Sequence, residues 1–268
     1  MPVAEFEDDR SRYREQLVSA VREAGELALA RFRGPLKIWN KDNYSPVSEV
    51  DIAVNEFLQE RLRDPAGQIG WLSEETEDDP ERMRARRLWI IDPIDGTRAY
   101  IAGLPDWSVA TALVEDGRPI LAVLFAPVED EMFVAAAGRG ATLNDVPIRT
   151  TDGGLDGACV AAPAGYQKRL KAFEPGLVAH PKIHSLALRF ARVAQGEIDA
   201  AFASGNAHDW DLAAADLLVH EAGGALTTFV REPLIYNKPQ PVHPPLVAAG
   251  RQRHAALTAL VQEHNISR

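Results

Sequence analysis

Two aspartates three residues apart stand directly after an apolar run in the segment WIIDPIDGT, at Asp92 and Asp95. Two carboxylates at the end of a buried strand repel each other and are costly to ionise unless a positive charge lies between them, and a divalent metal ion is the natural partner. Pro93 between them fixes the backbone and leaves the carbonyl of Ile94 free to face the same cation. The pattern predicts a metal site here, although a D-x-x-D-G segment alone is also typical of a turn capped by an aspartate.

Gly96 and Thr97, which follow the second aspartate, predict the start of a short helix. The N–H groups of a first helical turn have no partner within the helix and lie at the positive end of its dipole, so they suit a phosphate oxygen. Hydrolysis of a phosphate monoester needs neutralised charge on the transferring group and a water made nucleophilic, and bound metal ions supply both. Metal-assisted phosphoryl chemistry is therefore the first hypothesis.

Three further acidic positions could belong to the same site, but the residues alone leave a structural role open for each. Glu74 and Glu75 begin the acidic run EETEDD, which is also typical of a solvated surface. Asp211 falls in the first turn of a predicted apolar helix, where a carboxylate favours the helix dipole. Asp51 stands three residues after Ser48 and matches a capping box.

The helices and strands that must hold these acids are predicted from the spacing of hydrophobic residues and from the Gly, Pro and Asp-Gly positions that end them. We expect helices over 12–33, 46–63, 166–173, 184–195, 210–222 and 252–264, and strands over 88–92, 108–115, 119–127, 132–137, 158–162, 198–203, 225–229 and 246–249. The first group of strands predicts an antiparallel meander with a hairpin at Asp116-Gly117, and the second alternates with helices. We therefore expect an α/β protein with an N-terminal α+β subdomain, 1–152, and a C-terminal α/β subdomain, 153–268.

Composition excludes several classes of protein. The chain has 268 residues, of which 46% are hydrophobic, so it can bury a core and is not disordered. No apolar run approaches the ~18 residues that cross a bilayer, and no leader pattern is present, so we expect a cytoplasmic protein without a membrane partner. The formal net charge of -10 argues against extended nucleic-acid binding, and the single Cys159 argues against cysteine chemistry.

Three acidic segments together resemble the inositol monophosphatase superfamily: DPIDGT after a strand, SEE at 73–75 upstream, and WDLAAADLLVHEAGG at 210–224 downstream. The resemblance spans about residues 12–250. It implies a layered αβαβα sandwich of the inositol monophosphatase and fructose-1,6-bisphosphatase type. It also implies a lithium-sensitive phosphomonoesterase that uses two or three Mg²⁺ ions. A haloacid-dehalogenase phosphatase would need D-x-D instead.

The resemblance implies a metal-binding role for five residues. Glu74 binds the first metal together with Asp92 and the carbonyl of Ile94. Asp92 also bridges to a second metal, which Asp95 and Asp211 bind. Cations bound by these four carboxylates would neutralise part of the negative charge of the chain. An acidic chain can therefore still bind a phosphorylated substrate.

The resemblance also implies the catalytic and phosphate-binding residues. Asp51 pairs with the hydroxyl of Thr97 to orient the attacking water, and Ser48 stands where the family has threonine. Glu74 completes the catalytic set through the metal. The residues implied for substrate or phosphate binding are Asp95, Gly96, Thr97, Arg98, Ser185 and Asp211.

The substrate is the least determined part of the resemblance. Arg98 after DPIDGT and the segment 184–190 are similar to the 3′(2′),5′-bisphosphate nucleotidases. Ser204 stands seven residues before Asp211, where the inositol enzymes carry a substrate-binding glutamate. We therefore expect 3′-phosphoadenosine 5′-phosphate, with inositol 1-phosphate and then histidinol phosphate as alternatives. The roles of Lys182 and His208 stay open.

A role without catalysis is a further alternative, because some members of the superfamily act as regulatory partners of RNA-associated machinery. The set of acids described above is intact, which argues for catalysis. Homodimers are common in the family, so the resemblance also implies a homodimer.

Overall fold

The computed structural model describes residues 3–41, 45–64 and 66–266. The helices are α1 (Val3–Arg31), α2 (Glu49–Arg61), α3 (Thr97–Ile101), α4 (Ala164–Phe173), α5 (Leu186–Gln195), α6 (Asp209–Glu221) and α7 (Arg251–Glu263). The strands are β1 (Ile38–Asn40), β2 (Pro46–Ser48), β3 (Ile69–Ser73), β4 (Arg87–Asp95), β5 (Ser108–Glu115), β6 (Arg118–Ala126), β7 (Glu131–Ala136), β8 (Gly140–Leu143), β9 (Val146–Pro147), β10 (Cys159–Ala161), β11 (Val178–Ala179), β12 (Ala200–Ala203), β13 (Ala207–His208), β14 (Gly224–Thr228), β15 (Val242–His243) and β16 (Leu246–Gly250).

The first sheet has seven strands in the order β3-β4-β5-β6-β7-β8-β9. All its neighbours are antiparallel except β3 and β4. Helices α1 and α2 cover one face, where the apolar stripe of α1, including Leu17, Val21 and Ala24, packs into one core cluster with the sheet. Gly25 allows close contact, because a Cβ there would lie 2.3 Å from the ring of Phe125.

The other face of this sheet packs against α5 and α6, which also contact the second sheet in a continuous core. The second sheet has five strands in the order β11-β10-β12-β16-β14. A third core cluster, with Leu170 of α4 and Leu257 of α7, covers its outer face. Helices and sheets therefore alternate in five layers, and the layered αβαβα sandwich expected from the sequence is confirmed. The division at residue 152 stays a prediction.

Most of the expected elements are present, but the first helix begins at Val3 rather than at residue 12, and the short strands β1, β2, β11, β13 and β15 were not predicted. The second helix begins at Glu49 rather than at residue 46, because Pro46 lies in β2 and pairs with Asn40 of β1. Its true cap is Ser48, which forms the predicted capping box with Asp51. Strand β3 was not predicted, although it forms the parallel edge beside β4, and neither were the short strands β8 and β9.

The hairpin turn at Asp116-Gly117 is confirmed, with φ of 49° and 74° at the two residues. Within the part of the chain that the structure describes, no helix combines the length and the apolar character needed to span a bilayer.

Candidate active site

Strand β4 ends in the two aspartates that the sequence analysis singled out. Its pairing with β5 shifts register between Asp92 and Asp95, so the backbone bends where the carboxylates lie. Both side chains are buried, and Asp92 Oδ1 accepts a hydrogen bond of 3.1 Å from the N–H of Ile94. Asp211, in the first turn of α6, joins them, and one ligand oxygen of each carboxylate lies within 4.8 Å of the others.

The pKa values of the three aspartates are raised, which shows that their ionised forms are unfavourable so close together. Burial, together with the charges of Glu74 and Asp95, raises the pKa of Asp92 well above its usual range. Burial and the charge of Asp95 do the same to the pKa of Asp211. Burial raises the pKa of Asp95 to about 6, against the opposing effect of hydrogen bonds from Ser185 and Ala187. The cluster is therefore unfavourable in its fully ionised form unless a cation is bound.

Asp95 is held by the N-terminus of α5. Its Oδ2 accepts hydrogen bonds from the hydroxyl of Ser185 and from the N–H of Ala187, the latter at 2.6 Å. Ser185 is completely buried, caps α5 by accepting from the N–H of Leu188 at 2.9 Å, and lies 3.1 Å from the hydroxyl of Ser108. Its hydroxyl is thus engaged by the protein, and the direct substrate contact expected for Ser185 does not fit this geometry.

Thr97 connects the cluster to the capping box of α2. Its hydroxyl lies 3.1 Å from Asp51 Oδ1 and 3.0 Å from the carbonyl of Ile94, and it can donate to either oxygen. Asp51 Oδ2 accepts from the N–H and the hydroxyl of Ser48, at 2.9 and 2.6 Å. Burial raises the pKa of Asp51 despite these bonds. Serine in place of threonine at position 48 keeps the hydroxyl that orients Asp51.

A lysine that sequence reasoning missed occupies the edge of the site. Lys41 Nζ donates to Glu75 Oε1 at 2.7 Å and to Glu74 Oε1 at 3.1 Å. Burial alone would lower the pKa of Lys41, but the two carboxylates together raise it. Burial raises the pKa of Glu75 to about 7 even with Lys41 beside it. No periodicity or spacing marks Lys41, since it stands in a polar loop far from both acids in the sequence.

The acid cluster opens into a cavity of about 200 Å³, and a second cavity of about 770 Å³ adjoins it, since both are lined by Asp95, Asp211, Lys182 and His184. The smaller cavity is lined by every predicted site residue except Asp51 and Ser185, which lie behind Thr97 and Asp95. Those lining residues are Glu74, Asp92, Ile94, Asp95, Gly96, Thr97, Arg98 and Asp211.

Gly96 and Arg98 lie at the start of α3. Gly96 has φ of +92°, and a Cβ there would lie 3.1 Å from the carbonyl oxygen of Asp106 and 3.2 Å from the N–H of Ser185, so glycine is needed for the close approach of these segments. Arg98 is exposed and borders the smaller cavity. Its position is compatible with contact to an anion there.

His208 is the residue directly before α6, the helix that carries Asp211 in its first turn. Its ring stacks on Trp210 with centroids 4.6 Å apart, and its backbone N–H donates to Asp211 Oδ2 at 2.6 Å. Burial lowers the pKa of His208. The main-chain bond fixes Asp211 independently of the imidazole.

The donor set fits a hard divalent cation. Three carboxylates converge within one ion's reach, and the carbonyl of Ile94 and the carboxylate of Glu74 line the same cavity. Oxygen donors of this kind suit Mg²⁺, Ca²⁺ or Mn²⁺, and no imidazole or thiolate belongs to the cluster in the described part of the chain.

The layered fold and this carboxylate site define a class of metal-dependent phosphatases, and comparison with known proteins agrees. A model of the inositol monophosphatase family matches residues 9–265, and the chain belongs to that family. It is therefore a metal-dependent phosphoric monoester hydrolase.

Its relatives carry different names. A protein of Xylella fastidiosa named Nus factor SuhB is 35% identical over 225 residues, which cover 80% of each chain. A 3′(2′),5′-bisphosphate nucleotidase CysQ of Aggregatibacter actinomycetemcomitans is 31% identical over 234 residues, covering 84% of this chain and 87% of its own. The solved inositol monophosphatase of Thermotoga maritima superposes with a TM-score of 0.81 at 26% identity, covering 96% and 98% of the two chains.

Proposed function

We propose that this phosphatase is Mg²⁺-dependent and hydrolyses 3′-phosphoadenosine 5′-phosphate, releasing the 3′-phosphate and leaving AMP. The observation that carries this proposal is the cavity of about 770 Å³ next to the acid cluster. It lies within the range of roughly 300–1,000 Å³ that is usual for small-molecule sites, and it leaves room for a base and a ribose beside the reacting phosphate. Inositol 1-phosphate, the second candidate, would leave much of it unfilled. The CysQ relative supports the first substrate, and the Thermotoga maritima structure supports the second.

The lining of the larger cavity is consistent with a bulky leaving group. One wall consists of small residues, Ala203, Ser204 and Gly205, where the inositol enzymes carry a glutamate at the position of Ser204. Small side chains leave volume for a base and a ribose. An acidic side chain there would reduce that volume and repel a second phosphate.

We assign the cations to two overlapping sites on the same oxygen donors. Glu74, Asp92 and the carbonyl of Ile94 would hold the first ion, and Asp92, Asp95 and Asp211 the second, with a third ion also compatible with the family. Bound Mg²⁺ would supply the positive charge that neutralises the transferring phosphoryl group and makes a water nucleophilic near neutral pH.

The chain's own residues would orient that water. When Thr97 donates its hydroxyl hydrogen to Asp51 Oδ1, its Oγ1 can accept a hydrogen bond from the attacking water. Asp51 then stands ready to receive the proton through Thr97, while Ser48 keeps its carboxylate in place. Gly96, Thr97 and Arg98, which border the same cavity, would bind the phosphoryl oxygens. No covalent enzyme intermediate is needed.

The Thr97→Ala substitution tests the water-orienting pair. We expect kcat to fall about 10²-fold or more, as for loss of a general acid–base group, with little change in Mg²⁺ affinity. Thr97→Ser keeps the hydroxyl and is the matched control, with most of the activity retained. Steady-state kinetics combined with calorimetric Mg²⁺ titration measures both quantities. Equal losses in the alanine and serine variants would contradict a role of the hydroxyl.

The substrate is tested by phosphate release from a panel of esters at saturating Mg²⁺. We expect kcat/KM for 3′-phosphoadenosine 5′-phosphate to exceed that for inositol 1-phosphate and histidinol phosphate by about tenfold or more, the effect of one charge-assisted contact. A reversed order would assign the site to a smaller ester. Absence of release from every ester would support the regulatory role, for which the relative named Nus factor SuhB is the precedent.

Three further properties stay predictions: a cytoplasmic location, inhibition by lithium and assembly into a homodimer. None is needed for the chemistry derived above.

A further inference from the structure

The proline-rich loop 233–245 lies against the start of α6, the helix that carries Asp211. Strand β15 of this loop pairs with β13, which leads directly into α6. The N–H of Asp209, the first residue of α6, donates to the carbonyl of Pro241 at 2.9 Å. The N–H of His208 donates to Asp211 Oδ2 at 2.6 Å. The loop therefore fixes the backbone that holds one of the three clustered aspartates.

The side chain of Asp209 binds the same loop. Asp209 is completely buried, its Oδ1 lies 2.7 Å from His243 Nε2, and its Oδ2 accepts from the N–H of Asn237 at 2.8 Å. A buried carboxylate is costly unless such partners satisfy it, and here both oxygens are satisfied from the loop. Asp209 lines neither cavity of the site. Its bonds thus serve the contact between the loop and α6 rather than a ligand.

A buried arginine joins this loop to the segment that follows β3. Arg82 Nη1 donates to Asn237 Oδ1 at 2.7 Å, and Nη2 donates to the carbonyl of Lys238 at 3.1 Å. Asn237 Nδ2 returns a hydrogen bond of 3.1 Å to the carbonyl of Arg82. Asp78 accepts from the same guanidinium. Since Glu74 begins this segment, the arginine connects the part of the chain that supplies Glu74 with the loop that holds the start of α6.

We propose that Arg82, Asp209, Asn237 and His243 position Asp211 and thereby set the affinity for the second cation. We call these four residues the α6 network. This inference rests on the proposed function, in which Asp211 binds that cation. Mg²⁺ requires near-octahedral geometry with oxygens at about 2.0–2.1 Å, so a small displacement of the first turn of α6 weakens binding. Partners that orient a metal ligand typically contribute about 10–100-fold in metal affinity.

Charge and position predict different results for the network. Asp209 is negative and lies two residues before Asp211, so loss of its charge alone would weaken cation binding. Arg82 is positive, so loss of its charge alone would strengthen cation binding. Loss of positioning weakens cation binding in both cases. A neutral replacement of Arg82 therefore separates the two explanations by the sign of the change.

The test is a calorimetric Mg²⁺ titration of the metal-free full-length protein without substrate. In Arg82→Met and Asp209→Ala we expect the Kd of one Mg²⁺ site to rise about tenfold or more, while the other changes by less than about twofold. Asp209→Asn is the conservative variant. Its amide oxygen can accept from the N–H of Asn237 and its NH₂ group can donate to Nε2 of the other His243 tautomer, so most of the affinity should return.

Tyr236→Phe is the matched control for stability. Tyr236 is buried in the same loop, and its hydroxyl donates to Asp216 Oδ2 at 3.0 Å. Asp216 lies on α6 more than one turn beyond Asp211, so this variant loosens the same loop from the same helix away from the cation. We expect a lower Tm in EDTA with an unchanged Mg²⁺ Kd. Melts of all variants in EDTA show which of them fold, and Arg82→Met decides the question if Asp209→Ala does not fold.

The outcomes separate the positioning role from the cation assignment. If the wild type binds two Mg²⁺ ions and Arg82→Met binds both as tightly or more tightly, the positioning role is wrong while the cation assignment stands. Equal losses in Asp209→Asn and Asp209→Ala would also overturn it, because charge alone would explain them. So would weaker Mg²⁺ binding in Tyr236→Phe, which would indicate a general effect of stability. If the wild type binds fewer than two Mg²⁺ ions, the assigned second cation fails and the positioning role fails with it.

Discussion

Asp92→Asn is expected to abolish phosphate release and, in the same protein, to stabilise the metal-free fold. Asp92 is the carboxylate shared by both assigned cation sites, so we expect kcat/KM to fall about 10³-fold or more. In the metal-free protein the same carboxylate is buried beside Glu74 and Asp95, which raises its pKa. A neutral amide of the same shape relieves that repulsion, and a gain of about 1–2 kcal/mol would raise Tm by about 2–8 °C.

The measurement is a pair of thermal melts in EDTA together with phosphate-release assays in Mg²⁺. Asp145→Asn, at an exposed acid in the turn between β8 and β9, is the control and should change neither activity nor Tm. A lower Tm for Asp92→Asn in EDTA would mean that the carboxylate stabilises the metal-free fold. That result would contradict the view of the cluster as a preformed cation site.

Mg²⁺ is expected to stabilise the wild type much more at high pH than at low pH. The pKa of Asp95 is about 6 in the folded protein against 3.8 ordinarily, and the pKa values of Asp92 and Asp211 are also raised. Between the ordinary and the raised values the folded state binds more protons than the unfolded state, so these groups destabilise the metal-free protein as pH rises through and beyond this window. Cation binding needs the ionised carboxylates and therefore strengthens over the same window.

The expected signature is a difference between two melting curves. At Mg²⁺ about 100-fold above its Kd, linkage supplies about 2.7 kcal/mol, so Tm should rise by about 5–10 °C near pH 8. The rise should shrink to about 1 °C or less near pH 5, where protons compete for the carboxylates. The Asp92→Asn variant should show little Mg²⁺ shift at either pH. A shift in the wild type that is independent of pH would indicate that the cation binds elsewhere.

Local patterns made the acid cluster and the layers predictable from the sequence. Asp92 and Asp95 are neighbours in the chain, so their convergence needs only a strand that ends there. Hydrophobic period also located the long helices and the central strands, since burial of one face dictates it. The parallel strand β3 was not predicted, because only its last two residues are buried and its partner is set by the tertiary fold.

The contacts between distant segments were beyond sequence reasoning. Lys41 reaches Glu74 and Glu75 across more than thirty positions. Asp106 contacts His184 from 78 positions away, between the loop after α3 and the segment before α5. Ser185 was expected to contact substrate, whereas its hydroxyl caps α5 and supports Asp95. In each case a polar residue in a loop gives no periodic signal, and only the packing of the two sheets decides its partner.

One Mg²⁺ titration tests directly whether the carboxylate cluster is the cation site of a phosphatase. Wild type and Asp92→Asn are stripped of metal, and phosphate release from 3′-phosphoadenosine 5′-phosphate is followed as Mg²⁺ is added. We predict no release by either protein before addition, a saturable rise in the wild type and none in Asp92→Asn. Equal rates in the two proteins, or release by the wild type without any divalent cation, would mean that the carboxylate cluster is not the cation site of the phosphatase.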